Sequence, residues 1–206
     1  TIAAMAERAI AMAREAPEDP YVGLADASQL TTTRDASSLD LADPGPEPDP
    51  AFLMNAAREA EAATLAVNGV SKAQGASAGW SRTGVWLAAT NGFSGGYSRT
   101  GASISCTAIA GEGLGMERDY DGDARIYAAD LCAPQEIGRT AGLRAVERLS
   151  ARKPPTGHYP VLFDERISSS LIGHLLAAAN GASIARGSSW LLGKIQNYWK
   201  ALHRRK

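Results

Sequence analysis

The chain has 206 residues, and 21 Lys and Arg stand against 22 Asp and Glu, a formal net charge of −1. A 45% hydrophobic and 21% charged composition is that of an ordinary globular protein and excludes disordered and collagen-like chains. Near-neutral charge excludes the cationic footprint of a general nucleic-acid binder, and a chain of this length buries roughly 70% of its unfolded surface without staples.

The first predicted element is an Ala-rich helix over Ile2–Glu15, ended by Pro17 and Pro20. Its charges Glu7, Arg8, Arg14 and Glu15 exclude a signal peptide. No apolar run reaches the roughly 18 residues of a membrane span, so a cytoplasmic protein is expected. The alternating prolines of Asp43–Pro50 predict an extended connector, read as a surface loop inside one domain. A helix follows from Pro50 to Val67, with Phe52, Ala56, Ala60, Ala63 and Val67 on one face, Asp49 as cap and Pro50 at the first position.

After Asn68-Gly69 the period becomes two. Val70–Trp80, Gly84–Thr90, Gly96–Ala110 and Gly115–Asp130 are predicted as four strands of an antiparallel meander, with Asn91-Gly92 and Asp121-Gly122 as turn signals. Helical period returns at Pro134, where Ile137, Ala141, Ala145 and Leu149 recur with Val146 beside them. Beyond Pro154-Pro155, His158–Phe163 is predicted as a short apolar strand and Ile167–Ala179 as a helix carrying Leu171, Ile172, Leu175 and Leu176. This order of elements points to an α+β fold, not a doubly wound parallel sheet.

Chemistry-bearing motifs are sparse. Cys106 and Cys132 form no C-x-x-C, and His158, His174 and His203 form no H-x-x-x-H pair, so the thiols are read as reduced and no zinc site is expected. Gly75-Ala76-Ser77-Ala78-Gly79 matches G-x-S-x-G, which would make Ser77 the nucleophile of a serine hydrolase. A nucleophile elbow needs a helix after the turn, whereas Trp80 and Ser81 continue a strand; small residues in a strand facing a helix account better for the motif. Five residues separate Gly187 from Gly193 where a P-loop has four, and Ile195 replaces its Ser or Thr. Gly111, Gly113 and Gly115 lack the dinucleotide-binding spacing. Asp119, Asp121 and Asp123 resemble a calcium loop, but Gly122 and Asp130 fall at the wrong positions, and a solvated hairpin tip is expected. Lys200, Arg204, Arg205 and Lys206 read as a solvated basic tail.

Three segments, Asn91-Gly92-Phe93-Ser94-Gly95-Gly96-Tyr97, Met116-Glu117-Arg118-Asp119-Tyr120 and Tyr159-Pro160-Val161-Leu162-Phe163, occur in that order, followed by Gly187-Ser188-Ser189. Together they resemble the TldD/PmbA family over about Ile2–Ile195. The resemblance implies an α+β N-terminal domain and a β-rich C-terminal domain. It also implies a heterodimeric metalloprotease that trims peptides and unfolded proteins, with zinc held on H-E-x-x-x-H in the TldD-type subunit. The matching positions here are Gly173, His174 and Ala178, which cannot supply two histidine ligands and a carboxylate base.

No catalytic, cofactor-binding or metal-binding residue therefore carries over. The resemblance implies the PmbA branch, also called TldE, acting as a non-catalytic subunit in peptide maturation. Its implied partners are a TldD-like subunit and a peptide or unfolded substrate, with no nucleic acid and no membrane. By the same resemblance, residues 1–155 correspond to the N-terminal domain without its opening strands. Residues 156–206 begin the C-terminal domain, with a divergent tail at 196–206, so the chain is read as truncated at both ends; Thr1 follows removal of Met or marks a truncation. Exposed apolar residues in 156–206 are then expected to promote self-association, with first proteolytic cuts near Lys153 or after Arg186. The alternative functions are an autonomous serine hydrolase using Ser77 or a non-proteolytic binding module.

Overall fold

A computed structural model describes residues 1–20 and 23–194. The chain divides into two compact units, one of Asp26–Pro155 and one of Thr1–Ala25 with Thr156–Lys206. The expected α+β fold is found: an antiparallel three-stranded sheet packed with helices.

In the Asp26–Pro155 unit, an irregular strap precedes helix α2 (Pro50–Leu65). The Asp49 carboxylate caps α2 by accepting from Ala51 N at 2.7 Å, with Pro50 in the first turn as its sequence predicts. The proline-rich connector is part of this strap. Thr100 donates its amide to the Leu41 carbonyl at 3.1 Å and accepts from the Asp43 amide at 2.7 Å, while Arg82 donates to the carbonyls of Asp43 and Gly45.

The sheet consists of β1 (Val70–Ala88), β2 (Ser94–Ala110) and β3 (Glu117–Arg125) in the order β1-β2-β3. The four predicted strands are thus three. Ser81-Arg82-Thr83, the gap between the first two predicted strands, pairs with Gly101, Thr100 and Arg99, so those two strands run on as one. Asp121-Gly122 is no turn and pairs with Cys106 and Ser105 in mid-strand. Asn91-Gly92 does form the β1–β2 turn, where the Asn91 side chain accepts from Phe93 N at 3.1 Å and Gly92 adopts φ +90°.

Alternation along β2 sends Ala102, Ile104, Cys106, Ala108 and Ala110 inward. Ile104, Cys106, Ala108 and Ala110 meet Ala60 of α2 and Ile137, Ala141 and Ala145 of helix α3 (Pro134–Glu147). The two helices touch almost backbone to backbone. A Cβ on Gly138 would lie 2.0 Å from the Ala60 carbonyl oxygen, and one on Gly142 2.7 Å from the Val67 side chain. At this crossing the Thr64 hydroxyl lies 3.0 Å from the Ala60 carbonyl, 2.9 Å from the Gly138 carbonyl and 3.0 Å from Cys106 Sγ.

The other unit holds α1 (Ile2–Glu15), capped by the Thr1 hydroxyl, together with α4 (Glu165–Ala178) and the short α5 (Gly181–Ala185). His158–Phe163 is not the predicted strand. It is irregular, and Leu162 is 99% exposed; the described residues offer it no strand to pair with. Ser189, Leu191 and Ala178 are buried, with the Ser189 hydroxyl donating to the Ala178 carbonyl at 2.5 Å. No helix among the described residues is long and apolar enough to cross a membrane. The basic tail and Ile195 lie outside the described residues.

Candidate functional site

Helix α4 contains the positions at which the resemblance seats two zinc-binding histidines, Gly173 and Ala178, and a carboxylate base, His174. Its start is set by Asp164, whose carboxylate accepts from Arg166 N at 2.9 Å and pairs with the Arg166 guanidinium. Gly173 faces open space, His174 is exposed and Ala178 is buried. Neither Gly173 nor Ala178 carries a donor atom, so these positions do not fit a zinc ion. Among the described residues no group of three or more His, Cys, Asp and Glu side chains could hold a metal.

Ser77 lies in the middle of β1, opposite Ser105, and its hydroxyl is 3.0 Å from the Ser105 hydroxyl. Ala76 and Ala78 pack toward the core, while Ser77 is exposed on the other face of the sheet. The small residues facing the helices are therefore the alanines, not the serine of the motif. A regular strand without a following helix gives Ser77 neither an elbow nor an oxyanion hole.

The acidic triplet is not a hairpin tip. Asp119, Asp121 and Asp123 lie on the inner face of β3, opposite Ala108, Cys106 and Ile104. Arg148 reaches Asp119 at 3.3 Å, and Arg144 forms an ion pair with Asp121. Two residues of strand advance about 6.8 Å and four residues of helix about 6.0 Å, so the two ladders stay in step. Asp123 instead accepts from Cys132 N at 3.0 Å and pairs with Arg125 at 3.0 Å. Burial works against the Asp123 carboxylate, but the Cys132 amide and the Arg125 guanidinium outweigh it and hold its pKa below the ordinary value. The hydrogen bond and charge of Asp123 in turn push the Cys132 thiol up.

Beside this ladder, an apolar cleft of about 320 Å³ opens between the start of α2, the inner face of the sheet and the segment leading into α3. Phe52, Trp80, Ile104, Leu131 and Cys132 line it. Nothing in the local sequence pattern singles it out, because its walls come from four separate segments. Phe52 and Ala56, on the apolar face of α2, are its legible components.

The motif segments that carry the family resemblance shape the backbone. Gly96 lies under Trp86: a Cβ there would be 2.2 Å from the Val85 carbonyl oxygen and 2.6 Å from Trp86 Cε3. Arg34 stacks on Phe93 at 4.8 Å and donates to the Ser94 carbonyl at 2.8 Å. Gly187 turns at φ +77°, and Ser188 binds the Ser183 carbonyl, closing α5.

A family model described as the PmbA/TldA metallopeptidase central domain matches residues 43–149, and the C-terminal domain of the same family matches residues 156–198. The metalloprotease PmbA of Escherichia coli O157:H7 is 36% identical over 196 residues, 94% of this chain and 43% of that protein. A solved structure of a candidate modulator of DNA gyrase from Bacteroides thetaiotaomicron gives a TM-score of 0.65 at 25% identity, covering 84% of this chain and 41% of that one. TldE from Thermococcus kodakarensis gives 0.60 at 18% identity over 91% of this chain and 42% of its own, a likeness of fold alone. This chain spans less than half the length of each of these relatives. Matched over more than half of its own length, it belongs to the PmbA/TldD family of metallopeptidases.

Proposed function

We propose that this chain is part of a PmbA/TldE-like subunit, without catalytic groups of its own, of a heterodimeric cytoplasmic metalloprotease that matures peptides. The zinc belongs to a TldD-type partner, and the substrate is a peptide or an unfolded protein. The observation that carries this reading is that Gly173 and Ala178, at the ligand positions of the resemblance on helix α4, carry no donor atom. The kinship with a metalloprotease supports the proteolytic context. On this reading the residues of this chain contribute assembly and not bond cleavage.

Two measurements on the purified chain test it. Elemental analysis is expected to find no stoichiometric zinc, and a tagged chain is expected to retain a zinc-bearing TldD-type subunit. One tightly bound zinc per chain, or no capture of such a subunit, overturns the reading. A fluorophosphonate probe is expected to leave Ser77 unlabelled, and labelling lost in Ser77→Ala would establish the hydrolase instead.

A further inference from the structure

The pair Asn-Gly occurs three times, at Asn68, Asn91 and Asn180. Such a pair is prone to cyclise, because glycine has no side chain to hinder attack by its amide nitrogen on the asparagine carboxamide. The dipeptide does not rank the three positions; their hydrogen bonds do.

Asn91 and Asn180 are both committed. At the β1–β2 turn the Gly92 amide, the nucleophile of such a reaction, donates to the Ala89 carbonyl at 3.1 Å, and the Asn91 side chain accepts from Phe93 N. Asn180 caps α5: its side-chain oxygen accepts from Ser183 N at 3.1 Å, so its carboxamide reacts only after the helix is uncapped. Asn68 lies in the turn from α2 to β1, where the Val70 amide donates to the Val67 carbonyl at 3.1 Å and Gly69 takes φ +94°. Asn68 and Gly69 are exposed. Among the described residues neither the Asn68 carboxamide nor the Gly69 amide makes a hydrogen bond within the chain.

We propose that Asn68 is a site of covalent ageing, deamidating in the folded protein ahead of Asn91 and Asn180. Hydroxide takes the Gly69 amide proton, and the nitrogen bonds to Asn68 Cγ. The Cγ–Nδ2 bond breaks, ammonia leaves with a proton from water, and hydroxide is returned. Water then adds across one C–N bond of the cyclic imide. Opening at Cγ leaves aspartate; opening at the main-chain carbonyl leaves isoaspartate, whose backbone runs through Cβ and Cγ. Water enters, ammonia departs, and nothing is oxidised or reduced.

The junction tolerates these products poorly. The Gly69 carbonyl accepts from Gly111 N at 3.2 Å, and a Cβ on Gly69 would lie 3.2 Å from Val146 of α3. Isoaspartate lengthens the chain inside this turn, where α2 hands over to the sheet. Either product also sets a carboxylate just past the C-terminal end of α2, where the helix dipole disfavours negative charge. The proposal is independent of the metalloprotease reading.

Trypsin places the three pairs in separate peptides, 59–72, 83–99 and 167–186, so peptide mass spectrometry of the aged full chain tests it. After incubation of native protein at mildly alkaline pH, conversion of amide to acid is expected first in peptide 59–72. The other two are expected to be slower by roughly fivefold or more, since each must first break a hydrogen bond. In guanidinium chloride all three are expected to convert at similar rates. Aged wild type is expected to unfold at lower urea than fresh protein, and Asn68→Ser to lose that drift while Asn91→Ser keeps it. A native lead by either other peptide, no native conversion at Asn68, or the same unequal ranking in guanidinium chloride overturns the proposal. So does a drift that is absent from wild type or persists in Asn68→Ser. None of these failures changes zinc content or capture of a TldD-type subunit, which report on the other reading.

Discussion

The Asp26–Pro155 unit seals the inner face of its sheet beneath α2 and α3, whereas α4 and the segment before it leave most of their apolar side chains in water. The sealed core is built from small residues, Ala60, Ala108, Ala110, Ala141 and Ala145 among them. The exposed set is made of larger side chains, Leu162, Ile172 and Leu176 among them. Burying one Leu or Ile contributes about 1.5–3 kcal/mol, so size alone would favour the second set. What decides is a complementary surface. Gly138 and Gly142 let two helices approach to backbone contact, and alanines fill the narrow space that remains.

The contrast can be broken most visibly by limited proteolysis. Trypsin is expected to cut first after Arg152, beside Lys153, and after Arg186, which lie in exposed segments outside the sheet; a first cut between α2 and α3 would reverse the comparison. Next in size is a matched pair of glycine substitutions. Gly138→Ala forces a Cβ into the Ala60 carbonyl and is expected to cost about 3 kcal/mol or more, read from urea unfolding. Gly173→Ala meets open space in an exposed helix and is expected to stabilise α4 by about 0.5–1 kcal/mol, read from helical dichroism during melting.

Thr64→Val keeps the volume but removes the hydroxyl at the helix crossing, with an expected loss of about 1–2 kcal/mol in the same urea assay. The smallest effect is on pH dependence. Because the folded pKa of Asp123 is lowered, its contribution to stability is present above the unfolded value of about 3.9 and is lost as pH falls through the folded value. Asp123→Asn is expected to flatten the acid limb of a pH-stability profile; an unchanged limb would mean that this carboxylate does not couple to folding.

How much of this was legible depended on where the contacts came from. The α2 start could be read because Asp49 and Pro50 act within one turn. The α3 face could be read because Ile137, Ala141 and Ala145 keep one period. Ser81-Arg82-Thr83 fell between two predicted strands because its polar side chains and cation interrupt the apolar pattern, and the Arg82 side chain is served by a strap of residues far away in the chain. Asp121-Gly122 read as a turn for a similar reason, since the arginines that match the β3 carboxylates come from a later helix. His158–Phe163 read as a strand because apolar composition carries no information on whether a neighbouring strand exists. At the candidate site the missing ligands were legible outright, since glycine and alanine have no donor in any fold. The apolar cleft was not.

Cys106 gives the protein a built-in gauge of its own breathing. Its thiol is buried at the α2–α3 crossing against the Thr64 hydroxyl, and burial raises its pKa. A maleimide or disulfide reagent reaches it only when the helices part, so its modification rate in native buffer counts those openings. Cys132, half-buried beside the cleft, needs no such event. Native labelling should therefore split into a fast and a slow phase, and the interval between them converts directly into the free energy of opening. In Gly138→Ala the slow phase should accelerate while the fast one stays put.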